Sequence, residues 1–159
     1  MKKFELTAES KINAFGKKLF RIKALISFGS VEEGETGGWV EKEENVNQSG
    51  NAWVFGNAEV SGNARVFGNA EVSGNAWVSG NAWVFDNADY ATIHGFGTQF
   101  RTTTFFRCKD KQVKVSCGCF YGTIPEFREQ VKNTRKGKIA EEYLMIADLM
   151  EKHFAEEAK

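Results

Sequence analysis

One six-residue unit, repeated from Gly50 to Phe85, constrains this chain more than any other feature. Six copies begin with Gly-Asn-Ala and carry Val at the fifth position, and a degenerate seventh copy occupies residues 86–91. Within each unit Ala and Val are two residues apart, so on a short strand they share one face. Repetition at a short fixed period predicts a solenoid whose stacked copies bury their Ala and Val side chains together.

The Gly-Asn pair that opens each unit favours a sharp corner, because both residue types tolerate a positive φ. The whole pattern resembles the hexapeptide repeats of left-handed parallel β-helices, in which three hexads form one triangular coil. That resemblance implies a coil of about 18 residues. Val40 and Val46 continue the spacing upstream of Ala52, and Gly37-Gly38 suit a turn. We therefore expect a left-handed β-helix over residues 37–91, with about three coils.

The outward positions of the repeat are rich in large aromatic side chains. If residues one coil apart stack, Phe67 lies beside Phe85, and Arg65 lies beside Trp83 in a cation–π contact. A monomer seldom exposes so much apolar surface, so these rings are covered by another subunit or by the terminal segments, or they form a ligand platform. The aromatic residues concerned are Trp53, Phe55, Phe67, Trp77, Trp83 and Phe85.

The segments on either side of the repeat read as separate units. Residues 1–36 alternate apolar and polar side chains and predict a strand or hairpin that caps the β-helix. Residues 92–159 predict a small α+β module of the order ββαα. Its hairpin has a loop at Asp110-Lys111, which places Arg107 and Lys114 together on the polar face. Its first helix begins at Thr123 as N-cap.

Composition excludes some partners and leaves others open. Lys and Arg together number 21, as do Asp and Glu, so no global charge favours duplex nucleic acid or a membrane. No apolar stretch is long enough for a membrane span, and the first residues lack a signal peptide's apolar region. We expect a cytoplasmic protein with reduced cysteines.

The cysteines could bind a metal, and the histidines could serve in acyl transfer. Cys108, Cys117 and Cys119, with His94, match no common zinc spacing, so we expect structural thiols, no metal and no cofactor. Many hexapeptide-repeat proteins are acyltransferases that use a histidine base, and this chain offers His94 and His153. It lacks the long excursion loop of those enzymes, so we expect no catalytic residue, and acyl transfer stays the third hypothesis.

The whole chain also resembles a family of small uncharacterised phage and prophage proteins. The motifs that carry this resemblance lie at residues 19–25, 37–41, 44–46, in the hexads, and at 101–104. The most specific stretch begins with Val-Ser-Cys-Gly-Cys-Phe-Tyr-Gly-Thr at residues 115–123, ends in Glu126-Phe127 and is followed by Glu142-Tyr143-Leu144. The resemblance implies a fold and a viral context, and it brings no established activity.

The leading hypothesis is therefore a non-enzymatic, oligomeric binding protein, most simply a homotrimer. It would antagonise a bacterial defence system by occupying a host protein surface or by sequestering a nucleotide-like signal. The alternative is a structural, self-assembling protein. Recognition is expected to centre on outward aromatic rings and on basic side chains. These predicted binding residues are Trp53, Trp77, Trp83, Arg65, Arg101, Arg107 and Lys114.

Overall fold

The computed structural model describes residues 2–118 and 120–155, and these form a mainly β protein with a helical C-terminal part. An N-terminal hairpin of β1 (Phe4–Ile12) and β2 (Lys18–Ala24) pairs antiparallel and continues to β3 (Thr36–Val40). The hexads then supply six two-residue strands: β4 (Trp53–Val54), β5 (Glu59–Val60), β6 (Arg65–Val66), β7 (Glu71–Val72), β8 (Trp77–Val78) and β9 (Trp83–Val84).

The strands of the repeat pair in parallel with the strand three units further on. Val54 lies opposite Val72, Val60 opposite Val78, and Val66 opposite Val84. The three ladders belong to three separate sheets, of which the one that contains β5 and β8 also takes in β3 and the N-terminal hairpin. Every repeat Ala and Val is buried, as the alternation predicted. The glycine that opens each unit has a positive φ, so its freedom from a Cβ is used at every corner.

Upstream of Gly50 the predicted register is wrong by two residues. Val40 pairs with Val60, and Val46 forms a bridge to Val66, so both stack on valines instead of alanines. Gly37 does not form a turn either, because it lies inside β3. A Cβ there would come within 2.7 Å of the Val54 carbonyl oxygen. Close packing of two backbones, and not a chain reversal, requires this glycine.

The seventh unit does not continue the repeat. A short 3-10 helix spans Asn87–Asp89, with Asp86 as its cap, and β10 (Tyr90–Phe96) begins directly after it. The Tyr90 hydroxyl donates to the Glu71 carbonyl, and the Asn87 side chain accepts from the Glu71 N–H. These bonds satisfy backbone groups that a further parallel strand would have used, so they end the ladder at β7.

The C-terminal part has four strands where the sequence predicted two. An antiparallel sheet of β10, β11 (Arg101–Arg107), β12 (Val113–Cys117) and β13 (Phe120–Thr123) precedes α1 (Ile124–Thr134) and α2 (Gly137–Phe154). Thr123 caps α1 and forms the predicted capping box with Glu126. Within the described residues, neither helix has the length and apolarity of a membrane span.

This sheet separates two hydrophobic cores. Phe106 and Cys108 join the core of the repeat, whereas Phe105 and Val115 pack with the two helices. The sheet contacts the repeat directly: Cys108 forms a β-bridge with Ala82, and the backbone N–H of Trp77 donates to the Thr104 hydroxyl. The sheet therefore covers the C-terminal end of the repeat. The N-terminal hairpin extends the ladder of β3, β5 and β8 at the opposite edge, where β2 pairs with β3.

The register of the β11–β12 hairpin differs by one residue from the prediction. Phe106 lies opposite Lys114 and Arg107 opposite Val113. The loop is Lys109-Asp110-Lys111, with Lys111 at φ 69°, and it is one residue longer than the predicted one. Because a three-residue loop with a left-handed third position shifts the pairing, Arg107 and Lys114 point to opposite faces of the sheet.

Candidate functional site

The structure disperses the predicted binding residues into two exposed concavities and three separate positions. Trp83 and Arg65 meet in one groove, and Trp77 and Arg101 meet in one cleft. Trp53, Arg107 and Lys114 lie in neither of them. The two concavities occupy different sides of the repeat, so each is described by itself.

Trp53 is not available to a ligand. Its ring is fully buried, with edge-on contacts to Phe4 at 5.8 Å and Phe28 at 5.2 Å between ring centroids. Both partners come from the N-terminal segment, which covers this side of the repeat. Of the three explanations that the sequence left open for the outward rings, coverage by a terminal segment applies to Trp53.

Arg107 and Lys114 are engaged within the C-terminal part. The Arg107 guanidinium pairs with Asp89 at 3.2 Å, donates to the Phe154 carbonyl and lies over the Phe154 ring. It therefore connects the end of the repeat with the end of α2. The Lys114 ammonium lies 5.9 Å from the ring centroid of Tyr121, on the opposite face of the sheet. The predicted basic hairpin surface is thus split in two.

The first concavity, which we call the Arg65 groove, has a volume of about 420 Å³. Arg65 and Trp83 are neighbours in the β6–β9 ladder, as predicted. The cation over the Trp83 ring is, however, Lys109, whose ammonium lies 5.2 Å from the ring centroid. Lys42, from the turn after β3, borders the same groove. The remaining polar side chains that line the groove are the amides of Asn63 and Asn81 and the carboxylate of Glu44.

The charge of the Arg65 groove is largely uncompensated. Within the described ranges, none of its three cations lies in an ion pair with a carboxylate. Lys42 donates to the Asn63 side chain at 3.0 Å, and the Lys109 backbone N–H donates to the Asn81 carbonyl at 2.9 Å. Both bonds hold cation-bearing segments at the groove. Three cations against the one carboxylate of Glu44 make the groove positive.

No sequence pattern singles out Lys42 and Lys109 as groove residues. Lys42 stands in an acidic stretch, and Lys109 stands in a hairpin loop that is about 26 residues from Trp83 along the chain. The signal that could have found Lys109 is the loop itself, since a hairpin tip that follows a capping strand must lie near the last hexads. Its position still depends on the β11–β12 register.

An aromatic ridge adjoins the Arg65 groove. We use this name for Phe67, Trp83 and Phe85, whose ring centroids lie 3.7 Å apart for the two phenylalanines and 5.7 Å apart for Phe67 and Trp83. Phe67 therefore lies beside Phe85, as the stacking argument predicted. Phe85 is 48% exposed. Lys109 of the C-terminal part lies over the Trp83 ring, but, unlike Trp53, none of the three rings of this ridge is fully buried.

The second concavity, which we call the Trp77 cleft, has a volume of about 460 Å³. It lies between the β5–β8 ladder and the beginning of β11. Trp77 is half-buried and packs edge-on against Phe15 from the N-terminal hairpin, with ring centroids 5.7 Å apart. Lys11 and Glu59 form an ion pair of 3.0 Å in its wall. The other polar side chains that border it are Asn57, Asn75, His94, Gln99, Arg101 and Thr102.

The structure places His94, Cys108 and Cys117 in three different environments. His94 is exposed in the Trp77 cleft, where Nδ1 lies 2.9 Å from the Thr102 hydroxyl. Cys108 is buried, and burial raises the pKa of its thiol to about 11, which keeps the sulfur protonated at neutral pH. Cys117 lies on the face of the sheet opposite to Cys108, and its sulfur accepts a hydrogen bond from the Thr103 hydroxyl. Cys119 lies outside the described residues.

No grouping of His, Cys, Asp and Glu suited to a metal ion occurs in residues 2–118 and 120–155. Comparison with known proteins adds no relative: no protein-family model matches the chain, and no curated protein sequence is significantly similar to it. The geometry of the two concavities therefore carries the functional argument.

Proposed function

We propose that this chain is a non-enzymatic binding protein that takes a nucleotide-like anion into the Arg65 groove. The observation that carries the proposal is the convergence of Lys42, Arg65 and Lys109 around the half-buried ring of Trp83. These residues come from three separate segments of the chain. The phage or prophage context implied by the family resemblance then suggests a role in the bacterial cytoplasm, where the protein antagonises a defence system by sequestering its nucleotide signal.

The groove offers the two kinds of contact that a nucleotide needs. Guanidinium and ammonium groups bind phosphate through charge-assisted hydrogen bonds, and Arg65 can do so with two parallel N–H groups. The Trp83 ring offers an apolar edge and face to a planar base. Asn63 and Asn81 supply amides that both donate and accept hydrogen bonds. Among the described lining residues Glu44 is the one carboxylate, and no serine, cysteine or histidine lies beside it, so we propose binding without turnover.

The proposal treats the repeat as a short left-handed parallel β-helix of about three coils. Its support is the parallel pairing of strands three hexads apart and the positive φ at each corner glycine. A β-helix of this kind would keep Arg65 and Trp83 in adjacent coils at a fixed spacing. That rigidity favours binding, since little conformational entropy is lost when a ligand settles on preformed side chains.

Titration calorimetry with ATP, ADP-ribose and cyclic di-AMP tests the proposal. We expect at least one of these probes to bind, with an affinity that falls as salt rises, because the groove acts through exposed cations. Arg65→Ala and Lys109→Ala should each weaken that binding by about tenfold or more, and Lys138→Ala, an exposed cation on α2, should not. Failure of all three nucleotides to bind, or equal binding by the three variants, would contradict the proposal.

Self-assembly is a second candidate function, and the aromatic ridge favours it. Three neighbouring rings with Phe85 about half exposed form an apolar surface of the kind that subunit interfaces bury. We propose a homotrimer as the simplest assembly. Light scattering should give three times the chain mass, and Phe85→Glu should lower it while leaving the fold intact. A monomer at micromolar concentration would contradict assembly and leave the nucleotide proposal untouched.

The other branch of the binding hypothesis is occupation of a host protein surface by the same ridge. Aromatic rings next to an arginine are the residue types that dominate protein–protein binding energy. A partner captured by the wild-type protein from bacterial lysate and lost with Phe85→Glu, but retained with Arg65→Ala, would favour this branch. Capture that needs both residues would connect the groove and the ridge in one interface.

A further inference from the structure

The Trp77 cleft differs in chemistry from the Arg65 groove, although both place a half-buried tryptophan beside polar groups. Its lysine is neutralised, because Lys11 pairs with Glu59 at 3.0 Å. Arg101 is the one cation of the described lining without a carboxylate partner, and its guanidinium is already bonded to the Gln99 amide. A multiply charged anion would find little to pair with here, and it would favour the Arg65 groove.

Neutral side chains that both donate and accept hydrogen bonds dominate the Trp77 cleft. Asn57 and Asn75 are exposed at corresponding corners of successive hexad triplets, and Gln99 and Thr102 approach from the C-terminal part. An amide offers a carbonyl acceptor and an NH₂ donor side by side. A pair of neighbouring hydroxyl groups presents the same combination, so amides in this number complement a polyhydroxylated ligand better than a charged one.

The wall of the cleft holds a second observation that points to a ligand. Glu59 is only 7% exposed, and its Oε2 is the atom paired with Lys11. Its Oε1 has no hydrogen-bond partner within residues 2–118 and 120–155. A buried carboxylate oxygen without a donor is costly, so a hydroxyl that reached it would gain a strong bond. Because Oε1 is closed off from solvent in this structure, a hydroxyl reaches it only when a covering side chain moves aside.

From these features we infer that the Trp77 cleft is a saccharide-binding site. The apolar C–H face of a sugar ring packs against Trp77, while the amides of Asn57, Asn75 and Gln99 bond its hydroxyl groups. The Oε1 atom of Glu59 accepts a hydrogen bond from one further hydroxyl group. At about 460 Å³ the cleft is within the size range of small-molecule sites and accommodates an oligosaccharide of a few residues. This site is independent of the nucleotide proposed for the Arg65 groove.

A printed array of neutral oligosaccharides provides the probe, followed by titration of the oligosaccharide that binds most strongly. Trp77→Ala should weaken that binding by about tenfold or more, and the double variant Asn75→Ala, Gln99→Ala should do the same. The double variant changes only exposed side chains, so it keeps the test valid if Trp77→Ala lowers stability. Trp83→Ala is the matched control and should bind the oligosaccharide as the wild type does.

The outcomes separate the two sites. Loss of saccharide binding in the cleft variants, with nucleotide binding unchanged, supports the inference. It is overturned if no oligosaccharide on the array binds, or if binding is insensitive to both cleft variants. It is also overturned if ATP competes with the bound oligosaccharide, because the Trp77 cleft would then be a further anion site. If an oligosaccharide bound but no nucleotide did, the proposed function would be overturned and the saccharide site would still be supported.

Discussion

The buried ammonium group of Lys3 donates a hydrogen bond of 2.7 Å to the backbone carbonyl of Ala52. It also lies 4.5 Å from the ring centroid of Phe28. Within the described residues no carboxylate pairs with it. Burial lowers the pKa of Lys3 from 10.5 to about 8, because the charged form has lost most of its water. The residue that precedes β1 is thus joined to the repeat by a buried cation.

This arrangement predicts a stability that depends on pH. Below about pH 8 the folded and the unfolded chain both hold the Lys3 proton, and the cost of burying the charge is fully present. Between that pH and the ordinary pKa of 10.5, the folded chain releases the proton first, so this residue makes the fold more stable as pH rises. The gain is roughly 1–3 kcal/mol.

Urea unfolding of the wild type and of Lys3→Met, measured across this range, checks the prediction. The difference between the two is the informative quantity, because the raised pKa of the Cys108 thiol acts in the opposite direction in both proteins. We expect the free energy of unfolding of the wild type to rise relative to that of Lys3→Met as pH rises. Parallel curves would show that Lys3 keeps an ordinary pKa.

Trp53 and Trp77 occupy equivalent hexad positions and should differ sharply on truncation. Trp53→Ala removes a fully buried ring between Phe4 and Phe28 and should cost about 3–5 kcal/mol. Trp77→Ala removes a half-buried ring that contacts Phe15 and should cost about 1–2 kcal/mol. Thermal unfolding of both variants measures the difference. Similar losses would mean that the N-terminal segment does not cover Trp53 in solution.

The interior of the repeat should tolerate no charge. Val66→Asp puts a carboxylate among buried Ala and Val side chains, at a cost of several kcal/mol, and should prevent folding. Glu71→Ala changes an exposed position of a neighbouring unit and should alter stability by less than about 0.5 kcal/mol. Circular dichroism during heating distinguishes the two. Equal effects would show the inward and outward assignments of the hexads to be wrong.

Arg107 and Lys114 test the register of the C-terminal hairpin. Arg107→Ala breaks the partly buried pair with Asp89 and the bond to Phe154, and should cost about 1–3 kcal/mol. Lys114→Ala should change stability by less than about 0.5 kcal/mol. Denaturant unfolding provides the measurement. If both variants behaved as surface changes, the register predicted from sequence alone, with both side chains on one polar face, would be the better description.

Local patterns explain why part of this fold was predictable. Spacing by two residues places Ala and Val on one face of any strand, and only glycine enters the corner conformation without strain. The capping box of Thr123 and Glu126 likewise needs no distant partner. Each of these features is decided within a few residues, so the burial of Val66 and the start of α1 followed from the chain alone.

The candidate sites could be predicted only in part. The neighbourhood of Arg65 and Trp83 follows from the period of the repeat, since both residues occupy the same position of their hexads three units apart. The position of Lys109 over the Trp83 ring does not follow from the period of the repeat. That contact depends on a loop one residue longer than expected and on the bridge between Cys108 and Ala82.

The sequence by itself determined the inward face of the repeat, its corners and the first helix, because these depend on spacing and on conformations that neighbouring residues dictate. Only the tertiary structure decided which outward tryptophan is accessible. Trp53 is buried by Phe4 and Phe28, whereas Trp83 stays half-buried beside Lys109. The hexads that carry the two rings are identical from Gly to Phe, so no local signal separates them. Their environments differ because distant segments bury the Trp53 ring completely, whereas the distant contact of Lys109 leaves the Trp83 ring partly exposed.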